Sequence, residues 1–261
     1  MKIERAPLPD GANLVPTVPF TMAQRMLVEI MDERGCLEVT GEGGLGKTFC
    51  ADSFFAEHDS DVVKIHLEGK VHGYGFLRRL VIGLGGVAGP EDSGQTLMTA
   101  LRAAVGSRRV YVYVDEANLL NVESLRQIRY LRDQRDIHIA LVIVGTDFRQ
   151  AYRGVPELWS RVTRRITFDR LEGATLLVAL AAYHPFLATA DKDLLLRIDS
   201  EHCRGNWRVW SSVLPVLIDR ANRIGSPVLT VEVASAVLGV MVDRRRAKVR
   251  GSAARRPAKV A

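Results

Sequence analysis

The sequence predicts an α/β fold: a parallel five-stranded sheet flanked by helices, followed by a small all-helical domain. Three observations carry that reading. The glycine-rich stretch Gly41-Glu42-Gly43-Gly44-Leu45-Gly46-Lys47-Thr48 lies between a short apolar strand and a helix. Val110–Val114 is β-branched and aromatic throughout, apolar on both faces as a central parallel strand is, and it ends in Asp115-Glu116. Beyond Leu171 the strand patterns stop and helical periodicity takes over.

Bulk composition bounds the rest. The 261 residues suit one moderate domain and a small one, and 47% hydrophobic with 25% charged residues is ordinary for a chain that buries a core. Cys36, Cys50 and Cys203 have no metal-like spacing and leave an odd count, which suits a reduced, cytoplasmic setting. No apolar run approaches the length that spans a bilayer, so no membrane partner is expected. The net charge of +6 is uneven: from Arg244 on there are eight Lys/Arg and no acid, so the body before it is close to neutral. A basic tail of this kind suits a polyanion or is simply a solvated end, and charge alone does not choose.

In order along the chain, residues 1–19 carry Pro7, Pro9, Pro16 and Pro19 and read as an extended arm. From Phe20 the pattern is helical, with Met22, Met26 and Ile30 on one face and Ala23, Leu27 and Met31 beside it; this methionine stripe is expected to be core, and Gly35 to end the helix. Cys36–Thr40 is the first strand and Phe49–Phe55 continues the helix after the glycines. Asp61–Leu67 is a second strand, leading into the polar turn Glu68–Gly73. Helices through Phe76–Val81 and Leu97–Val105 flank a glycine-rich break, then come strand Val110–Val114, an amphipathic helix Leu119–Gln134, strand His138–Gly145 and a last strand Ile166–Phe168. The α/β domain thus runs over 20–171. Helices at about 172–183, 189–201, 206–224 and 230–242 make the second domain, 172–243; Pro215 is expected to kink the third, and 244–261 is the basic tail.

The glycine stretch fits G-x-x-x-x-G-K-[ST] in its expected strand–turn–helix context. Glycines let backbone N–H groups close on phosphates, and the helix N-terminus adds partial positive charge. Gly41, Glu42, Gly43, Gly44, Leu45, Gly46, Lys47 and Thr48, with Phe49 beyond them, form the expected ATP-binding set. Lys47 would reach the β and γ phosphates, and Thr48 would offer its hydroxyl to Mg²⁺. Asp115, at the end of an apolar strand, would hold Mg²⁺ with Thr48, and Glu116 would polarise the attacking water. Thr146, at the tip of the next strand, is a candidate to orient that water or sense the γ-phosphate. Arg161 is a candidate to stabilise charge from a neighbouring subunit, with Arg164 and Arg165 as competitors; Arg208 is a candidate to do so from the helical domain. For any one of these arginines a surface ion pair is the competing reading.

Taken together, Gly41–Thr48, Val110–Glu116, Val144-Gly145-Thr146-Asp147, Ser160-Arg161-Val162 and Gly205-x-x-Arg208 resemble an AAA+ ATPase with its helical lid. Within that class the chain resembles the DNA-transposition regulators of the Mu phage B protein, TniB and TnsC group. Val18-Pro19-Phe20, Val114-Asp115-Glu116-Ala117-Asn118 and Val142-Ile143-Val144-Gly145-Thr146-Asp147 carry that likeness. The resemblance implies a P-loop AAA+ ATPase that forms a ring or helical filament of identical subunits on double-stranded DNA, with ATP between subunits, and that recruits or stimulates a transposase. It also implies that the loop after the second strand faces DNA, which makes Lys70 the expected contact, with Lys64 and the basic tail as weaker ones. Three competing functions are a replication initiator or helicase loader, a nucleotide switch that binds proteins without DNA, and a small-molecule phosphotransferase. No C-terminal helix-turn-helix is evident, which counts against an initiator, and the Asp-Glu pair and Arg208 count against a phosphotransferase.

Overall fold

The computed structural model describes the chain except residues 1–2, 59, 68, 70, 72–73, 149–153 and 235–261; for Trp159 it describes the backbone alone. The strands β1 (Cys36–Gly41), β2 (Asp61–His66), β3 (Arg109–Asp115), β4 (His138–Val144) and β5 (Arg164–Phe168) form one sheet in the order β2-β3-β4-β1-β5. Every pairing in it is parallel. The five expected strands are all present, and β5 starts two residues earlier than its apolar run suggests. Parallel strands need crossovers. These are α2 (Lys47–Glu57), then α3 (Gly75–Gly83) with α4 (Gly94–Val105), then α5 (Val122–Asp133), and α6 (Pro156–Trp159) before β5; α1 (Val18–Asp32) precedes the sheet.

Alternation along β3 sorts the two apolar layers. Val110, Val112 and Val114 pack with α3, α4 and α5 residues such as Phe76, Leu101 and Ile128. Tyr111 and Tyr113 point the other way, into a layer with Leu27 of α1 and Phe54 and Phe55 of α2. Both faces of the strand are buried, as its composition requires.

The core face of α1 differs from the expected stripe. Ala23, Leu27 and Ile30 are buried, while Met22 is 44% exposed and Met26 and Met31 only flank the contact. A small residue at position 23 lets the helix approach the sheet closely, and the methionines then lie at its margins. The backbone carbonyl of Leu27 accepts a 2.8 Å hydrogen bond from the Tyr111 hydroxyl, which fixes that approach. The end of the helix also differs. The left-handed residue is Arg34 (φ 49°), and Gly35 follows it, donating its N–H to Ile30 O at 2.6 Å. Glycine is needed at 35 for room: a Cβ there would lie 2.8 Å from both Ile30 and Thr163 side-chain atoms.

The chain divides into two compact units. One comprises the residues through Ala6 together with Pro16–Asp169; the other comprises Pro7–Val15 and the chain from Arg170 onward. The second unit holds α7 (Gly173–Tyr183), α8 (Pro185–Ala188), α9 (Lys192–Ile198), a π-helical turn (Asp199–Cys203) and α10 (Trp207–Ile224). Pro7–Val15, expected to be part of an extended arm, packs against its core: Leu8, Ala12 and Val15 lie on the helices, and Asn13 N–H donates to Tyr183 O at 2.8 Å. Pro215 sits inside α10, which is helical from end to end. The expected extension of the last helix to 242 and the basic tail lie outside the described residues.

Asp199 anchors the helical unit. Its Oδ1 accepts the Gly205 N–H at 2.7 Å and the indole N–H of buried Trp210 at 2.9 Å. Asp199→Ala leaves both donors buried without a partner. It is expected to lower stability by about 1–3 kcal/mol in urea unfolding followed by Trp fluorescence; a loss below about 0.5 kcal/mol would refute the anchor.

Candidate functional site

The site gathers at the C-terminal ends of β1, β3 and β4, where open parallel sheets place their ligands. Because β4 lies between β1 and β3, the glycine loop and Asp115 spring from strands two places apart, about 10 Å across the sheet. The first turn of α2 closes that distance. The Thr48 hydroxyl donates to Asp115 Oδ1 at 3.1 Å.

Each part of the loop has a local cause. Gly41 has φ 137°, and a Cβ there would stand 2.3 Å from Phe168 O, so only glycine lets β1 turn away beside β5. Its N–H donates to Thr146 O at 3.3 Å, tying the loop to the tip of β4. Gly46, also left-handed at φ 96°, opens α2. The N–H groups of the first turn have no partner within the helix, so they present partial positive charge to the loop. Lys47 is buried, and its Nζ donates to Gly41 O at 2.8 Å and Glu42 O at 2.7 Å, so its ammonium lies along the inner wall of the loop.

Asp115 is 4% exposed and heavily engaged. Its Oδ1 accepts the Thr48 hydroxyl and the Glu116 N–H, both at 3.1 Å; its Oδ2 lies 3.4 Å from His66 Nδ1. Glu116 holds a left-handed backbone, φ 54°, uncommon for a residue with a side chain and a feature that clusters at working sites. The turn that follows (Ala117–Leu119) carries Asn118, whose Oδ1 accepts the Thr146 N–H at 3.2 Å. Thr146 is exposed at the tip of β4. Hydrogen bonds therefore join Thr48 and Glu116 to Asp115, and the chain from Glu116 to Asn118 ties Thr146 to the same corner. A hydroxyl and a carboxylate oxygen side by side suit a hard cation that takes its remaining ligands from phosphate and water. Among the described residues no group of three or more His, Cys, Asp or Glu is placed to hold a metal alone.

The other expected residues are placed differently. Arg161 donates to Asp133 at 2.9 Å. Arg164 pairs with Glu29 of α1 at 3.4 Å and with Glu33, just past its end, at 2.5 Å, and Arg165 lies 4.0 Å from Glu38. Arg208 is exposed in the first turn of α10, in the helical unit. Lys64, expected as a weak DNA contact, instead turns inward: its Nζ donates to both oxygens of Asp52 at 2.6 and 2.9 Å, and its side chain is 20% exposed. A neutralised, mostly buried ammonium is not available to a phosphate backbone. Lys70 lies outside the described residues.

Reading the residues alone passes over His66, Asn118 and Asp52. The signal for His66 was its parallel register with Asp115, which needs the strand order before it can be seen. The three cysteines are free and buried. Burial pushes each of their thiols up to about 12, which keeps them protonated and unreactive at neutral pH. Among the described residues no helix is long and apolar enough to cross a membrane.

Residues 30–151 match the family profile described as an AAA domain. The chain's fold is the P-loop AAA+ fold with a helical C-terminal part, and solved structures of low sequence identity share it. Cdc6p from Pyrobaculum aerophilum is 16% identical, with 87% of this chain and 67% of that chain covered and a TM-score of 0.65. The Aeropyrum pernix Orc1 protein, solved in complex with DNA, is 16% identical over 90% and 68%, with a TM-score of 0.61. The Thermotoga maritima RuvB Holliday junction branch migration motor is 16% identical over 87% and 70%, with a TM-score of 0.56. No curated protein matches the chain by sequence.

Proposed function

We propose that this chain is an ATP-dependent, DNA-binding AAA+ ATPase that assembles on double-stranded DNA and regulates transposition through target-site selection and recruitment or activation of a transposase. The observation that carries the ATPase reading is the 3.1 Å contact between Thr48 and Asp115, made across an intervening strand beside a lysine-lined glycine loop. In this reading Lys47 exchanges the loop carbonyls for the β and γ phosphates, and Thr48 and Asp115 hold Mg²⁺. Bound there, Mg²⁺ supplies charge neutralisation of the phosphates. Glu116 accepts the proton of the attacking water, and Thr146, fixed by Asn118, orients that water. Arg161 stabilises the transferred charge in a neighbouring subunit: its single, partly exposed pair with Asp133 is exchanged at small cost. The two carboxylates on Arg164 make it the poorer choice. Arg208 plays the corresponding part from the helical unit.

The DNA reading draws on the transposition-regulator resemblance and on the fold shared with Orc1, solved in complex with DNA, and with the branch migration motor RuvB. Lys70 is the proposed duplex contact. A second reading, a replication initiator or helicase loader, is favoured by the likeness to Cdc6p and Orc1. One experiment separates them: ATPase rate with and without duplex DNA, alongside electron microscopy. Stimulation by duplex together with filaments or rings supports the first reading, and stimulation only in the presence of a helicase supports the second. Indifference to DNA in both assays removes both. Under the first reading, Lys70→Ala weakens duplex binding about tenfold and flattens its dependence on salt, with ATP affinity unchanged.

A further inference from the structure

Behind Thr48 and Asp115 lies a second polar layer that the ATPase reading leaves unexplained. Asp52 follows Thr48 by one turn of α2, so both side chains project from the same side of the helix. Its carboxylate is held by both hydrogen bonds from Lys64 of β2, and the two side chains are only 9% and 20% exposed. The same ammonium lies 5.0 Å from the centroid of the Tyr113 ring. Tyr113 precedes Asp115 by two residues on β3 and shares its face of the sheet. Its hydroxyl is buried close to Asp52 and Thr48 and interacts with both, without reaching full hydrogen-bond geometry to either. Burial, with Asp115 and Asp52 adding to it, holds the phenol well above its ordinary range, so it is a neutral O–H.

A buried ion pair is a poor device for stability, since apolar side chains of similar volume do as well. This one stands beside a third buried charge, Asp115, which adds to the difficulty of keeping Asp52 ionised; burial raises the Asp52 carboxyl and Lys64 opposes that. The three members come from α2, β2 and β3, and two of those elements carry Thr48 and Asp115.

We propose that Asp52, Lys64 and Tyr113 form a charge-setting and positioning layer for the divalent cation at Thr48 and Asp115. Lys64 cancels the Asp52 charge, so that cation and triphosphate meet one carboxylate rather than two. The Tyr113 hydroxyl, beside Asp52 and Thr48, is the neutral hydrogen-bonding group that steadies Thr48 and Asp115 when the cation draws on them. The proposal rests on the reading that Thr48 and Asp115 hold the cation, and its test separates the two.

The test uses the full chain and a fluorescent ATP analogue, titrated with and without Mg²⁺. Lys64→Met leaves Asp52 unpaired. It is expected to weaken binding without Mg²⁺ about tenfold and to lower the Mg²⁺ concentration giving half the response, the scale of one added charge several ångströms away. The double variant Asp52→Asn with Lys64→Met removes both charges and is expected to restore both values to within about twofold, a rescue that a structural pair would not give. Tyr113→Phe keeps the ring and is expected to raise the half-response Mg²⁺ concentration about threefold, with the thermal midpoint unchanged. Should Lys64→Met fail to fold, the double variant and Tyr113→Phe decide. Asp115→Ala is the control. If it leaves the Mg²⁺ response intact, the parent reading fails; if it abolishes the response while the double variant matches Lys64→Met and Tyr113→Phe matches the native protein, this proposal alone is overturned.

Discussion

Glu116→Gln is expected to leave ATP binding within about threefold of the native protein and to cut turnover by about 10²–10⁴-fold, the usual contribution of a positioned general base. The amide keeps the size of the carboxylate and the left-handed backbone at φ 54°, and it leaves the N–H bond from residue 116 to Asp115 untouched. What it loses is the ability to take a proton from water. The fold and the phosphate loop are therefore unchanged, and only the chemical step suffers. Phosphate release measured beside nucleotide binding makes the distinction. Turnover within threefold of the native rate would remove Glu116 from its proposed part and shift attention to other groups near Thr146.

Lys47→Ala carries the second large effect, on binding rather than turnover. The Lys47 ammonium lies within the loop on Gly41 O and Glu42 O, both on the side a triphosphate would occupy. Its loss removes the one side-chain cation that the loop itself supplies. A charge-assisted hydrogen bond contributes about 1.5–3 kcal/mol, so two of them lost correspond to an affinity drop of about 10²-fold or more. Stability should change little by comparison, because Gly41 and Glu42 are partly exposed and water can satisfy their carbonyls. Calorimetric titration with ATP reads the affinity, and thermal unfolding checks the fold. Affinity within fivefold of native would mean that the loop does not grip phosphate through this residue.

Much of this was open to the sequence because it depends on short-range signals. A strand apolar on both faces announces a central position, and glycines at fixed offsets before Lys-Thr announce a turn into a helix; both are local and both came out as expected. The strand order was not local. That β4 stands between β1 and β3 emerges only from pairing, and with it the position of Thr146 beside Gly41 and of His66 beside Asp115. Lys64 shows the converse problem. Its charge suggested a surface contact, but alternation along β2 gave no hint that Asp52, twelve residues earlier on a helix, would draw it inward. The face of α1 is hard to read from sequence because methionine weighs heavily in any apolar count, whereas a close helix–sheet approach selects the small Ala23.

The placement of Pro7–Val15 has a practical outcome for dissecting the molecule. The polypeptide passes between its two bodies at three points, after Ala6, after Val15 and after Asp169. Trimming everything past Asp169 would strip Leu8, Ala12 and Val15 of their cover, and trimming the first fifteen residues would bare the helices they lie on. Neither body can be isolated with one cut, and a simple N-terminal trim that removes Pro7–Val15 also takes Ile3 out of the core of the nucleotide-facing part.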